Sequence, residues 1–298
     1  MKKIIATDLD GTLFYPKRKI TGIPHTNVKF LKKFLSNDGQ LVLISGRNPK
    51  ILSRMERQLN HSVSLIGCNG GFCVDENKDI LFTHPLDREK LTELYSYIHH
   101  SFGIWIWMMF NTSNQIYCDV REIPDWMKYM FFIGNKFRFY FAETLLLDDK
   151  LFIDRLTHQD CYKMMIVFGL GEDGKERAAQ ASPALKSRFG DSFEFAVSNN
   201  AIEITSKGID KGNALMDFCK IKNINPDDVF VCGDSGNDLY MFEKFKHSFA
   251  MSHSPVHFKS QANHVIDRIS SLSEYIDNPS LTENDEIVKI NYEKALDK

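Results

Sequence analysis

Lys2-Lys3-Ile4-Ile5-Ala6-Thr7-Asp8-Leu9-Asp10-Gly11-Thr12 is the stretch on which the reading of this chain turns. Lys2–Ala6 reads as a short apolar strand that runs straight into two carboxylates one residue apart. Apolar residues in an unbroken run, with no alternation, suit a parallel strand covered on both faces. In open α/β sheets, ligand sites lie at the carboxyl ends of such strands. Two acids at the end of a buried strand are costly unless they do chemistry. Gly11 lets the chain turn sharply, and the Thr12 hydroxyl can grip an oxyanion. The combination suits phosphoryl chemistry, in which a carboxylate forms an aspartyl-phosphate.

The same style of chain continues on either side of a long middle segment. Asn27–Ser36 puts Val28, Leu31, Phe34 and Leu35 on one helical face, and Asp38-Gly39 follows as a stop. A second buried strand, Leu41–Ile44, ends in Ser45-Gly46-Arg47, and a helix follows to about Leu59. A third, Val63–Ile66, ends at Asn69-Gly70-Gly71, and a hairpin over Phe72–Phe82 turns around Glu76-Asn77-Lys78. Near the far end, Asp210–Cys219 reads as a helix, Val229–Cys232 as a strand and Asn237–Phe245 as a helix, with short strands at Phe249–Met251 and Val265–Ile266. The two blocks read as one parallel sheet interrupted by an insertion. Residues 1–84 and 196–277 are expected to form the core, 85–195 the insertion and 278–298 a polar tail. Residues 102–141 hold 13 of the 36 aromatics and all three tryptophans, so the insertion is read as a smaller α/β domain with a mostly antiparallel sheet. Ile104–Trp107, Phe137–Phe141 and Lys163–Phe168 are its expected strands. Ala196–Thr205 reads as a hairpin around Asn199-Asn200 that leads back towards the core.

Composition narrows the function. The chain has 298 residues and a net charge of −2, with 37 basic and 39 acidic residues well mixed. No basic cluster argues for a nucleic-acid partner. No apolar stretch approaches a membrane span, and the opening apolar run is too short for a secretion signal. Six cysteines without paired spacing read as buried free thiols in a reducing cytoplasm.

Three further motifs belong at the same strand ends: Ser45, Lys211-Gly212, and Gly233-Asp234-Ser235-Gly236-Asn237-Asp238. Asp8, Asp10, Asp234 and Asp238 would gather four carboxylates there. Without a cation such a cluster forces some of its members to protonate. An all-oxygen set of this kind suits Mg2+.

Taken in order, these four motifs resemble those of the haloacid dehalogenase-like phosphohydrolases. The position of the insertion resembles the Cof-like sugar-phosphatase branch with a large α/β cap. The resemblance spans about residues 1–276. It implies an α/β fold, with a Rossmann-like parallel-sheet core and an inserted cap that closes to exclude water and select the leaving group. It also implies a cytoplasmic, Mg2+-dependent phosphatase of small phosphorylated metabolites, sugar phosphates first, working as monomer or homodimer. By matching position, Asp8 is the nucleophile and Asp10 the acid and base. Thr12 and Ser45 grip the phosphoryl group, and Lys211 neutralises it. Asp8, the Asp10 carbonyl and Asp234 hold the metal, with Asp238 in support. Gly46, Arg47, Asn69 and Asn237 are candidate substrate contacts. The turn Met251-Ser252-His253-Ser254 departs from a Met-Gly-Asn-Ala-like pattern usual in relatives.

Competing readings stand beside these. A phosphosugar mutase shares the cap type and nucleophile, and a non-catalytic phosphometabolite binder would use the same pocket. Lys207, four residues from Lys211, is the rival lysine. His253 and His257 have the i, i+4 spacing of a metal pair, but Pro255 between them favours a capped surface turn. His99-His100 reads as a solvated helix end. Trp105, Trp107, Trp126, Tyr140, Lys136, Arg138 and Asp119 are undecided between cap core and substrate contact.

Overall fold

An unbroken apolar strand needs cover on both faces, and the first strand, β1 (Ile4–Asp8), has it: all five residues are buried. The computed structural model describes residues 3–16, 22–102, 107–119, 125, 126, 129, 145–147, 149–169 and 171–292. After β1 come α1 (His25–Ser36), β2 (Gln40–Ile44), α2 (Ile51–Leu59), β3 (Ser64–Gly67), β4 (Phe72–Val74) and β5 (Ile80–Thr83). The middle segment gives α3 (Arg88–Ser101), β6 (Trp107–Asn111), β7 (Ile116–Asp119), β8 (Leu145–Leu147), α4 (Asp149–His158), β9 (Lys163–Val167), α5 (Gly171–Phe189), β10 (Phe193–Ser198) and β11 (Ala201–Ser206). The chain closes with α6 (Lys211–Ile221), β12 (Val229–Gly233), α7 (Leu239–Phe242), β13 (His247–Met251), α8 (Val256–Lys259), β14 (His264–Ile266) and α9 (Leu272–Asp277).

The chain divides into two units. The first comprises Met1–Gly46, Leu52–Phe82 and Asp210–Lys298, and the second Arg47–Ile51 and Thr83–Ile209. In the first, eight strands run in the order β14-β13-β12-β1-β2-β3-β4-β5. Pairing is parallel from β14 to β3 and antiparallel between β3 and β4. Alternate strand residues serve opposite faces. Ile4, Ala6, Val42, Ile44, Val229 and Val231 join Leu215 and Phe218 of α6 and Phe242 of α7 in one buried cluster. The central place of β1, between β2 and β12, brings the carboxyl ends of three parallel strands side by side. α1 buries Leu31 and Phe34 as its periodicity predicts, with Val28 and Leu35 half-buried.

The second unit is a six-stranded sheet in the order β10-β11-β9-β6-β7-β8. It is antiparallel except for the β7–β8 pair. Phe110, Phe152, Phe193, Ile166 and Ile202 form its core with Leu94 and Ile98 of α3. The hairpin Phe193–Ser206 corrects the expected boundary at residue 196. β11 pairs with β9 as well as β10, so the hairpin belongs to this sheet, and the first unit resumes only at Asp210. Its inward residues, Phe193, Phe195, Ile202 and Ile204, need the apolar cluster of the second unit. Ser206 Oγ, near the exit of this unit, donates to the carbonyls of Pro85 (2.8 Å) and His84 (3.3 Å) near its entry.

His99 is not the solvated end expected of it. Its Nε2 lies 3.3 Å from the buried Asp119 carboxylate, which also accepts from the Tyr95 hydroxyl at 2.7 Å. That bond places Asp119 in the packing of the unit. Trp107 begins β6 half-buried and Trp126 is exposed, whereas Trp105, Tyr140, Lys136, Arg138 and the Phe137–Phe141 strand lie outside the described residues. All six cysteines are buried free thiols, and among the described residues no helix is long and apolar enough to cross a membrane.

The polar tail is better anchored than its composition suggests. Asp285 accepts from His247 Nδ1 at 2.8 Å and from His264 Nε2 at 2.7 Å, tying residues beyond α9 to β13 and β14. Both imidazoles stack on phenylalanines, His247 on Phe230 and His264 on Phe249. Tyr292 donates to Glu243 at 3.0 Å and packs with Ile290 against the core cluster. Replacing Asp285 with Ala strands two largely buried ring N–H groups, each unmet group costing about 1–3 kcal/mol. Asp285→Ala is therefore expected to lower the thermal midpoint and to speed proteolytic cutting after residue 277, both read against the parent protein.

Candidate active site

The site is built where β1, β2 and β12 end. After Asp8 the chain makes a tight turn over Leu9–Leu13, closed by the Phe14 N–H on the Leu9 carbonyl (3.0 Å). Leu9 and Leu13 are fully buried, which anchors the turn. Gly11 sits at φ +88°, and a Cβ there would also run into the Asp234 carboxylate. Only glycine meets both demands. Below the turn, the buried Asn27 amide donates to the Leu13 carbonyl (3.1 Å), and its oxygen accepts from the Ser270 N–H (3.1 Å).

Lys211 is the first residue of α6, whose N-cap is Asp210, accepting from the Asn213 N–H at 2.7 Å. An ammonium at a helix N-terminus is opposed by the helix dipole and, here, by near-complete burial. Two carboxylates compensate: Lys211 Nζ lies 2.7 Å from Asp8 Oδ1 and 2.6 Å from Asp238 Oδ1. Burial pulls the Lys211 pKa down, but Asp238 and Asp8 outweigh it and hold it above the ordinary lysine value. Gly212 is required next, because a Cβ there would overlap the Tyr240 carbonyl. Lys207, the rival, instead pairs with Glu194 on the surface of the second unit at 3.0 Å.

Asp8, Asp234 and Asp238 each present a carboxylate oxygen within 4.8 Å of the others. Burial raises the Asp8 carboxyl well above the usual range, with Lys211 opposing and Asp238 and Asp234 adding to the rise. Burial, then the charge of Asp238, pushes Asp234 up to about 6. Three carboxylates against one ammonium leave a surplus of negative charge in a low-dielectric place, which a divalent cation would relieve. The donor set, all oxygen, fits a hard cation. Asp10 is exposed and its carboxylate is not among the three that converge. Asp238 is fully buried, and its Oδ2 accepts from the N–H groups of Asp234 (2.9 Å) and Ser235 (3.1 Å). With Oδ1 taken by Lys211, Asp238 braces the loop and the lysine.

Thr12 is fully buried and donates to Asp234 Oδ1 at 2.9 Å. Ser45 is buried beyond β2, its N–H on the Ile66 carbonyl and its own carbonyl accepting from Asn69 N–H (3.0 Å). Asn69, at φ +56°, lies within 3.5 Å of the Asn237 amide, so these two candidates come together. Gly46 ends the first unit's segment, and Arg47 is grouped with the second unit, where the neighbouring Asn48 donates to the Thr112 carbonyl.

Two residues escaped the sequence reading. His253 stacks flat on Tyr15, ring centroids 3.9 Å apart at 20°, with Nε2 3.9 Å from Asp234 Oδ2. The surface turn expected at 251–254 is present, but its histidine is turned towards the acidic loop, and the departure from the family pattern was the signal. The next residue, Ser254, donates from Oγ to the Asp234 carbonyl at 3.0 Å.

Residues 5–271 match the profile of the haloacid dehalogenase-like hydrolases. The Escherichia coli 5-amino-6-(5-phospho-D-ribitylamino)uracil phosphatase YbjI is 24% identical over 256 residues, spanning 85% of this chain and 86% of its own. Pyridoxal phosphate phosphatase YbhA of the same organism is 24% identical over 272 residues, spanning 89% and 93%. Among solved structures, the subclass IIB sugar phosphatase BT4131 superposes with a TM-score of 0.70 at 17% identity, covering 93% of this chain and 99% of its own. At that identity the likeness speaks for the fold. Motifs, sheet order and relatives agree: the chain belongs to the haloacid dehalogenase-like hydrolase family, as a phosphatase.

Proposed function

We propose that this protein is a cytoplasmic, Mg2+-dependent phosphomonoesterase that hydrolyses small phosphorylated metabolites through an aspartyl-phosphate at Asp8. The observation that carries the reading is the Lys211 ammonium held between Asp8 and Asp238, with Asp234 alongside. Asp8 and Asp234, with the Asp10 carbonyl, would hold the cation. When bound, Mg2+ supplies positive charge that screens the phosphate dianion from the Asp8 carboxylate.

An Asp8 oxygen attacks phosphorus, and the bond to the leaving oxygen breaks as Asp10 delivers its proton there. Asp10, exposed at the turn, is the acid able to meet a leaving group arriving from solvent. Water then attacks phosphorus, Asp10 takes its proton, and the bond to Asp8 breaks to return the free carboxylate. Lys211 remains an ammonium throughout, offsetting charge on the transferring group. Thr12 turns from Asp234 to the phosphoryl oxygens, and the buried Ser45 grips them from the β2 side. Asn69 and Asn237 stand ready for the substrate.

Sugar phosphates lead the candidate substrates, supported by the subclass IIB fold neighbour, and pyridoxal phosphate joins them because a relative is named for it. A panel of such esters, assayed for phosphate release, is expected to show Mg2+-dependent turnover that chelation removes. Asp8→Asn is expected to abolish it with the fold intact, and Asp10→Asn to slow it by about 10^2–10^4-fold. Retained turnover in Asp8→Asn would refute the nucleophile; isomerised sugar phosphate in place of free phosphate would identify a mutase.

The charge surplus predicts a second result. An Asp234 carboxyl near 6 when folded, against 3.8 when free, favours the folded state below 3.8 and loses that contribution as pH rises through 6. A cation replaces the lost protons. Mg2+ is expected to raise the thermal midpoint of the metal-stripped protein at neutral pH and to raise it less at pH 5. An equal gain at both values would contradict the assignment.

A further inference from the structure

We propose that the Ser254 hydroxyl is a positioning group for the cation site, holding the Asp234 peptide so that its carboxylate stays within reach of Asp8 before an ion arrives. The inference rests on the metal site proposed above. It extends that site to a residue outside the four motifs, one that acts on a ligand and not on the ion.

Asp234 is gripped at three places. Its N–H donates to Asp238 Oδ2 at 2.9 Å, its Oδ1 accepts from Thr12 at 2.9 Å, and its carbonyl accepts from Ser254 Oγ at 3.0 Å. The carboxylate also lies against Gly11, where a Cβ would overlap it. The first two bonds come from the acidic loop and the catalytic turn. The third comes from the turn after β13, a separate part of the chain. Thr12 is the transient partner, since in the mechanism above it leaves Asp234 for the phosphoryl oxygens. Asp238 and Ser254 then still hold the residue, one at its N–H and one at its carbonyl.

Ser254 is well placed to do this. It is 4% exposed, and its own N–H bonds the Met251 carbonyl at 3.0 Å. The Ser252 N–H bonds the Ile266 carbonyl at 2.8 Å, so the turn is pinned to both β13 and β14. Pro255 follows, and a residue before proline is confined to extended backbone. α8 begins after Pro255 with no side-chain cap, so the Ser254 hydroxyl is not engaged by that helix. Without the hydroxyl, the Asp234 peptide can rotate about its flanking bonds, and the carboxylate moves with it. Ordering it again on binding subtracts from affinity. Groups that orient a metal ligand without touching the metal are worth about 10–100-fold in metal affinity.

The test uses the full, metal-stripped chain at one neutral pH. Calorimetric titration with Mg2+ compares the parent with Ser254→Ala, Ser254→Thr, Ser252→Ala and Asp234→Asn, and thermal midpoints verify that each variant is folded. Ser254→Ala is expected to weaken Mg2+ binding by about tenfold or more. Ser254→Thr, which keeps a hydroxyl, and Ser252→Ala, which alters the same turn elsewhere, are expected to bind as the parent does. A purely structural serine would lower the midpoint and leave Mg2+ affinity alone. Parent-like affinity in Ser254→Ala, or an equal loss in Ser254→Thr or Ser252→Ala, while Asp234→Asn abolishes binding, overturns the role of Ser254 and leaves the metal site standing. Failure of the parent to bind Mg2+ overturns both.

Discussion

A single buried ammonium organises this molecule's working end. Lys211 is 1% exposed at the start of a helix, where both desolvation and the helix dipole oppose a positive charge. It remains charged only because Asp8 and Asp238 face it at hydrogen-bond distance. Each acid comes from a different strand end, so the ion pairs join the turn after β1, the loop after β12 and the helix before it.

The rest of the site holds those segments in register. Asn27 fastens the turn from beneath, Asp238 grips its own loop through two backbone N–H groups, and Ser254 reaches the Asp234 carbonyl from the turn after β13. Gly212 lets α6 approach the Tyr240 carbonyl closely enough for Lys211 to arrive. These are backbone contacts for the most part, and they set positions more tightly than long side chains alone.

Much of this was legible in the chain. β1 and β12 announce themselves as unbroken apolar runs, because a strand covered on both faces has no polar side. Asp8, Lys211, Asp234 and Asp238 could be named because each stands at the end of such a run or at the start of a helix. The hairpin at 193–206 was found as a hairpin but given to the wrong unit. Alternation in Phe193, Phe195, Ile202 and Ile204 reveals that one face is buried, and it carries no information on which sheet does the burying. The tail was undervalued for a related reason: Asp285 looks polar until two imidazoles forty residues or fewer upstream are known to converge on it. His253 was read from its spacing to His257, whereas its partner, Tyr15, lies at the other end of the chain, a pairing only the fold creates.

The Ser206 hydroxyl on the Pro85 and His84 carbonyls closes the second unit where the chain enters and leaves it. A long excursion between β5 and α6 thus begins and ends at nearly one point. Lengthening a loop whose ends already meet adds little entropy, since the loss grows only with the logarithm of its length. The insertion is therefore a cassette: its interior can be rewritten, enlarged or exchanged while the parallel sheet keeps its order. Selection can change the inserted unit without disturbing how the parallel sheet folds.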